Sequence, residues 1–479
     1  MLAISCRVID HSMSKQNLHH HLFVCERCSE TRHSFVCKPR KLMAKSTQLT
    51  RVIAGRACTM IDLANIANTL TNSLNSSELW PSPTWLITFI LLVAIIRLLK
   101  VFSFPEKPDV TYRHKTSVKG EISIAEVLEK CPILNEIYSP PLLWGRNGHI
   151  QTATYGLLGH ASLRRTFDSR HLVKLPDGSS VVFDIFEPLA AQCNGQDYTL
   201  ALCPGIANSS ESNYIRTCVH YAQEKGYRCA VLNHLGALPD IALTSPRIFS
   251  YGGTEELEAM MGRLSELYPM TRFISIGFSM GGNITARFLL KAKQSILDRV
   301  VLGLSVCQGY CATTSASLYH DWENGRRAYN YIITENMKRL LRRNYDMAVA
   351  PYVKSRIIDE QRLWSATSIV ALDESYNRRV LGFSSVAEFY KACSCLHDLH
   401  RINVLMVFVN AMDDPLVPPL LWEPVRHLAA NNSRFGFVMT KHGGHLGFLE
   451  GTSLTPNSVT WLDRFIVELS DAAVAVFDS

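Results

Sequence analysis

The sequence predicts an α/β protein: a mostly parallel sheet with helices on both faces, a helical cap inserted late in the chain, and one transmembrane helix ahead of it. Three observations predict this. From about residue 165 onward, strand-like and helix-like segments alternate, the pattern of a sheet covered on both sides. Between residues 307 and 403 the alternation is interrupted by a stretch much longer than a single crossover needs. Far upstream, Trp85 to Ile96 forms an uncharged apolar run that stands apart from the alternating region.

The apolar run is short for a span of about 20 residues. Counting back through Leu79-Trp80-Pro81, and letting Arg97 and Lys100 snorkel outward, makes the length adequate. A separate domain follows, so the run has no core to join. No small-residue cleavage pattern follows it and basic residues do, which argues against a removed signal peptide. The expectation is a single-pass anchor over 81–102, then a membrane-proximal linker and entry segment over 103–165. Arg97, Lys100, Lys107, Arg113 and Lys115 flank the downstream side, and residues 65–84 hold no Lys or Arg. Charge bias alone would place the downstream domain in the cytosol.

The alternating region is expected to form one domain over 166–470. His171–Leu175 and Val181–Phe186 flank Pro176-Asp177-Gly178, a hairpin signal that opens the sheet with antiparallel strands. Further strands are expected at 199–203, 228–233, 273–277, 300–306, 404–410 and 435–439. The 307–403 interval contains helical stretches such as Arg326–Arg342 and Val386–Cys395, whose basic clusters should face water. An insertion here makes a cap over the sheet edge where ligands bind, and one lined with Tyr, Met and Leu could shelter an acyl chain.

Charge narrows the partners. The chain of 479 residues carries a formal net charge of +7, and residues 1–60 account for all of it with ten Lys/Arg against three Asp/Glu. Residues 61–479 balance, so the alternating region suits an uncharged ligand and not a nucleic acid. Cys25-x-x-Cys28, Cys37 and nearby histidines lack the second half of a zinc module. Residues 1–80 therefore read as a basic, disordered extension with no metal, or as an upstream start not always used, with Met60 the alternative. The 14 cysteines are scattered, and Cys203, Cys229 and Cys307 lie in strand-like apolar runs where they serve as small hydrophobes.

The chemistry is carried by Gly277-Phe278-Ser279-Met280-Gly281, set between a strand pattern (Arg272–Ile276) and a helix pattern (Gly282–Leu290). A strand-turn-helix with Ser at its apex exposes the hydroxyl on a strained turn, and side chains in place of the flanking glycines would collide with neighbouring elements. The following helix start aims amide N–H groups at charge forming near the hydroxyl. Serine is a weak nucleophile, so it needs a base and a group to orient that base. In the hydrolase fold with this turn, the acid and the histidine follow the serine in that order. The acid is assigned to Asp414 over Asp413, because Asp414-Pro415-Leu416-Val417-Pro418 has the usual spacing after the penultimate strand. The base is assigned to His445 over His442, because glycines just before it let the loop pass over the nucleophile. The oxyanion donors are expected to be the N–H groups of Met280 and Ile206, the latter freed by the turn at Pro204-Gly205. No metal or organic cofactor is required.

Longer motifs carry a resemblance. Leu142–Thr152, Cys203–Asn208, Val231–Pro239, Gly277–Asn283 and His442–Phe448 resemble the alpha/beta-hydrolase domain family of membrane-anchored monoacylglycerol lipases, over roughly residues 85–470. The resemblance implies the alpha/beta-hydrolase fold, Ser279 as nucleophile, Asp414 as acid and His445 as base. It also implies hydrolysis of acylglycerols, esterase activity on simpler esters, and responsiveness to steroid in some members. Residues 1 to about 75 extend beyond where such proteins usually begin. The resemblance places the catalytic domain on the far side of the membrane from a cytosolic N-terminus, against the charge bias, and that orientation is followed here. Asn208 and Asn431 head glycosylation sequons that matter in that orientation, whereas the Asn283 sequon should be buried behind the turn. Two rival functions share the fold: a lipid- or steroid-binding membrane receptor, and an acyltransferase. The complete Ser/Asp/His set argues against the first. The absence of any His followed five positions later by Asp argues against the second.

Overall fold

In the computed structural model, residues 83–114, 122–158, 166–191 and 197–478 are described. The extension 1–80, with its Cys25, Cys28 and Cys37, lies outside them. Among the described residues nine strands form one sheet: β1 Asp109–Thr111, β2 Ser169–Lys174, β3 Ser180–Phe186, β4 Tyr198–Cys203, β5 Arg228–Asn233, β6 Arg272–Phe278, β7 Val300–Val306, β8 Met406–Ala411 and β9 Phe435–Thr440. Their order across the sheet is β1-β9-β8-β7-β6-β4-β5-β3-β2. Strands β4 to β9 pair in parallel. The edges are antiparallel: β2 and β3 form the expected hairpin with Leu172 opposite Val182, and β1 lies against β9.

The central strands are buried on both faces, and side-chain alternation divides their residues between two cores. In β8, Met406 and Phe408 join one apolar cluster while Val407 and Val409 join the other. Helices Glu255–Leu267 and Met280–Lys291 cover the first face. Helices Asn213–Glu224 and Trp461–Phe477 cover the second. Thr460 caps the last of these, accepting from the Asp463 N–H while the Asp463 carboxylate accepts from the Thr460 N–H. Because β5 and β6 leave β4 on opposite sides, the strand order reverses there, and a crevice opens beyond the carboxyl ends of β4 and β6.

The interval between β7 and β8 holds no strand and is largely helical, with Ala312–Leu318, Arg326–Arg343, Ile369–Ser375 and Val386–Cys393. The expectation that its basic residues face water holds for Arg339 and Arg342 but not for two others. Arg326 is 1% exposed, donating to the Leu318 carbonyl and pairing with Glu323. Lys338 is 4% exposed and donates to the carbonyls of Trp364 and Ala366, so its charge staples two cap segments together.

Two boundaries differ from expectation. Residues 98–478 fall in one compact unit, and the described residues of the 103–165 segment are part of it. The segment supplies β1, helix Ile124–Glu129, which packs on β9, and helix Gly148–Leu158. The second difference concerns the span over 81–102. The described part of it is helix Pro83–Leu98, 16 residues or about 24 Å against a hydrocarbon core of about 30 Å, and residues 81 and 82 lie outside the described residues. Among the described residues no helix is long and apolar enough to cross a membrane. The reason lies at the helix's end: Lys100 has a positive φ of 49°, so the backbone leaves the helical region where the snorkelling residues were to extend it. Leu86, Ile87, Phe89, Ile90, Leu91 and Leu92 are all exposed on this helix.

Glycine placement gives a stability test. A Cβ on Gly281 would lie 2.0 Å from the Cys203 carbonyl oxygen in β4, whereas one on Gly262, in helix Glu255–Leu267, meets nothing within 4 Å. Gly281→Ala should therefore destabilise by about 1–3 kcal/mol or more, and Gly262→Ala should stabilise by about 0.5–1 kcal/mol. Thermal denaturation should move the two midpoints in opposite directions.

Candidate active site

Ser279 is the single residue between β6 and helix Met280–Lys291, with φ 51° and ψ −123°. Such a backbone is costly for a side-chain-bearing residue and persists only where its surroundings enforce it. Those surroundings are tight. A Cβ on Gly277 would lie 2.2 Å from the Gly281 carbonyl oxygen, and Gly281 is pressed on Cys203, so strand, turn and helix meet almost backbone to backbone. The Ser279 N–H donates to the Val306 carbonyl of β7 at 2.8 Å, fixing the turn to the next strand.

The loops after β8 and β9 bring two more side chains to this point. His445 Nε2 lies 3.0 Å from Ser279 Oγ, and His445 Nδ1 lies 2.8 Å from Asp414 Oδ2. All three residues are buried. The carboxylate can only accept from Nδ1–H, which leaves Nε2 to accept from the serine hydroxyl. Asp414 Oδ1 is held by the N–H groups of Leu416 and Val417 at 2.7 and 3.1 Å, so the carboxylate cannot turn away.

The competing residues go elsewhere. Asp413 Oδ1 accepts from the Gly444 N–H at 2.8 Å, and its other oxygen lies 3.8 Å from His442 Nδ1. This pair sits beside the Ser279 chain and braces the loop that carries His445. Sequence reading missed a second brace, on helix Gly148–Leu158. Thr152 Oγ1 accepts from the His445 N–H at 2.8 Å and donates to the Gly148 carbonyl at 2.7 Å. Gln151 donates to the Gly145 carbonyl and accepts from the Leu449 N–H at 2.8 Å. Asn147 accepts from the N–H groups of His149 and Ile150, tying off the helix start. The signal was present in Asn147-Gly148-His149-Ile150-Gln151-Thr152, a polar cluster too specific for a linker.

The loop after β4 is fixed from both sides. Its Gly205 N–H is taken by the Tyr214 hydroxyl at 2.8 Å, while Ile206 and Met280 line the cavity beside Ser279. His234, after β5, has its pKa pushed down to about 4 by burial. At neutral pH its ring is uncharged, and Nε2–H donates to the Pro204 carbonyl at 2.8 Å. Asp184 in β3 accepts from Arg170, Ser210 and Asn233, anchoring the loop's far end. The Asn208 sequon belongs to this loop. Its side-chain nitrogen, the atom a glycan would bond, is buried, so the folded loop does not offer it for modification. Asn431 is exposed at the end of helix Pro419–Asn431. Asn283 is fully buried and donates to the carbonyls of Tyr251 and Cys393.

Cys307, Asp414 and His445 offer atoms within 4.8 Å of one another. That geometry suits a metal poorly, because the imidazole and carboxylate are already committed to each other. Burial, then the charge of Asp414, also hold the Cys307 thiol well above its ordinary pKa, against the thiolate a metal needs.

Ser279 lines a cavity at this rim of the sheet. Phe249, Met280, Ile333, Met337, Val370 and Leu372 give it apolar walls, most of them from the cap interval. A hydroxyl bonded to a carboxylate-held imidazole, two backbone amides nearby and an apolar chamber form an arrangement able to transfer acyl groups.

The sequence pattern of the alpha/beta hydrolase fold matches residues 198–452. Fold and site together define a serine ester hydrolase, and the chain belongs to the alpha/beta-hydrolase family. Among its relatives is the Danio rerio protein named Monoacylglycerol lipase ABHD2, 43% identical over 383 residues, which are 80% of this chain and 87% of that one. The Homo sapiens Monoacylglycerol lipase ABHD2 is 42% identical over 385 residues, 80% and 89% of the two chains. The Drosophila melanogaster Abhydrolase domain-containing protein 2 is 41% identical over 396 residues, 81% and 98% of the two.

The two adjacent aspartates give the site's test. Asp414→Asn should lower kcat by about ten-thousandfold, because the amide cannot hold the required tautomer. Asp413→Asn keeps an oxygen for the Gly444 N–H and should cost less than about tenfold. Steady-state kinetics on a soluble ester would check the ranking; the reverse order would move the orienting acid to Asp413.

Proposed function

We propose that this protein hydrolyses carboxylic esters of lipids, monoacylglycerols in particular, through an acyl-enzyme on Ser279. The observation that carries the reading is the continuous hydrogen-bonded chain from Ser279 through His445 to Asp414 beneath an apolar cavity. The substrate class is suggested by the names of relatives 42–43% identical to this chain.

In this reading Ser279 Oγ attacks the ester carbonyl carbon while His445 Nε2 takes the hydroxyl proton. Asp414 stabilises the imidazolium and keeps Nδ1 protonated. The oxygen of the tetrahedral intermediate is met by the N–H groups of Ile206 and Met280, each contributing about 3 kcal/mol to lowering the barrier. The intermediate collapses, the ester C–O bond breaks, and His445 returns its proton to the departing glycerol oxygen. Water then attacks the acyl-enzyme with His445 again as base, releasing the fatty acid and restoring Ser279. The apolar chamber favours the acyl chain and excludes bulk water from the carbonyl. A rigid apolar ligand such as a steroid would compete for the same chamber.

Helix Pro83–Leu98 is proposed as the membrane attachment, because the large side chains it exposes, from Leu86 to Ile95, are apolar. Replacing both Leu91 and Leu92 by Asp should shift the protein from the membrane pellet to the supernatant while leaving hydrolysis of a small soluble ester intact. Retention in the pellet would remove this helix from that role.

For the chemistry, Ser279→Ala should abolish monoacylglycerol hydrolysis and fluorophosphonate labelling while circular dichroism stays native. Labelling that survives the substitution would place the nucleophile elsewhere.

A further inference from the structure

One carboxylate in the active-site cavity has no part in the mechanism above. Asp373, on helix Ile369–Ser375, lines the same chamber as Ser279 and is 6% exposed. Among the described residues no cationic side chain forms an ion pair with it. Its Oδ2 accepts from the Tyr390 hydroxyl at 2.7 Å and its Oδ1 from Asn377 Nδ2 at 2.5 Å. Asn377 and Tyr390 line the chamber too. A buried carboxylate held only by neutral donors is costly, and here it stands among the apolar residues Ile369, Val370 and Leu372.

The chemistry of the cluster narrows what it can take. Each carboxylate oxygen has room for two donors, and Tyr390 and Asn377 fill one place on each. The remaining capacity belongs to a group that lines the apolar chamber, where a ligand's donor can meet it. Burial pushes the Asp373 pKa up to about 6, while Tyr390 and Asn377 hold its two oxygens as acceptors. A cationic ligand would have to shed its hydration shell to enter this chamber, at several kcal/mol. A hydroxyl sheds far less and gains a charge-assisted bond. Pockets of this kind are mostly apolar, with a few placed polar groups that set orientation and selectivity.

We infer that Asp373, positioned by Tyr390 and Asn377, accepts a hydrogen bond from a substrate hydroxyl, so that the chamber selects hydroxyl-bearing lipid esters over esters of equal length without one. The inference rests on the ester-hydrolase reading. The hydroxyl belongs either to the alcohol portion, as in a monoacylglycerol, or to the acyl chain.

Three substrates of one acyl length separate these sources: the monoacylglycerol, the plain methyl ester, and the methyl ester of the ω-hydroxy acid. In Asp373→Leu, the kcat/KM of a hydroxyl-bearing substrate relative to the plain ester should fall at least tenfold from its wild-type value. A fall for the monoacylglycerol assigns the hydroxyl to the alcohol, and a fall for the ω-hydroxy ester assigns it to the acyl chain. Both ratios staying at their wild-type values would overturn the inference. Fluorophosphonate labelling reports whether the variant is folded. If it is not, the wild-type protein suffices: a long-chain 1,2-diol should protect Ser279 from labelling at a concentration at least tenfold lower than its dimethyl ether, and equal protection would overturn the inference. Hydrolysis of the plain methyl ester by wild type but not by Ser279→Ala would leave the proposed function standing whichever way Asp373 falls.

Discussion

The structure depends on one strained turn. Ser279 has a positive φ because β6 must pass straight into a helix packed on β7, and the only room for that turn lies between Gly277 and Gly281. Gly281 brings the helix start against the carbonyl of Cys203, so the turn also sets how near the loop after β4 can come. Position of the hydroxyl, direction of the helix start and placement of Ile206 thus follow from a single close backbone contact. Strain of this kind amounts to about 1–3 kcal/mol and needs a surrounding structure that over-determines it. Here β7 supplies it, through the hydrogen bond from the Ser279 N–H to Val306.

The residues around the turn act mainly to keep loops from moving. Asp414 is locked by two amides, and His445 is fixed at its backbone by Thr152 and beside it by Asp413 through Gly444. On the opposite side a neutral His234 holds Pro204, and the Asp184 network holds Ser210. All of these braces but the partly buried Asp413–Gly444 bond are buried, and each uses a group whose alternative partner would have been water. Reorganisation during acyl transfer is therefore small, the condition under which fixed dipoles stabilise a transition state best.

Much of this was legible in the chain, and the failures have physical causes. Strands β5 and β7 fall on the expected residues, because strands buried on both faces leave continuous apolar runs bounded by turn signals. The elbow, the aspartate and the histidine were readable because each lies just beyond such a run, and parallel strands put those ends on one rim. What escaped was whatever lacks periodicity. Strand β1 has three residues and exists only because the edge of β9 is open to pair with it. Helix Gly148–Leu158 begins at a glycine, and its value lies in Gln151 and Thr152 reaching the His445 loop, contacts that span about 300 positions and leave no local trace. Cap arginines and lysines looked solvent-exposed by composition, yet Arg326 and Lys338 are buried because backbone carbonyls and the carboxylates of Glu323 and Glu335 meet their charge. The apolar run near residue 90 was recognised, but how far its helix extends was not, since Arg97 and Lys100 permit either outcome.

The most direct measurement of the central claim is to trap the covalent intermediate. Acid-quenching the enzyme during turnover of a monoacylglycerol, followed by tryptic digestion and mass spectrometry, should find the acyl mass on the peptide Phe273–Arg287, at Ser279. An acyl group on any other peptide, or turnover with no acylated peptide at all, would contradict the account.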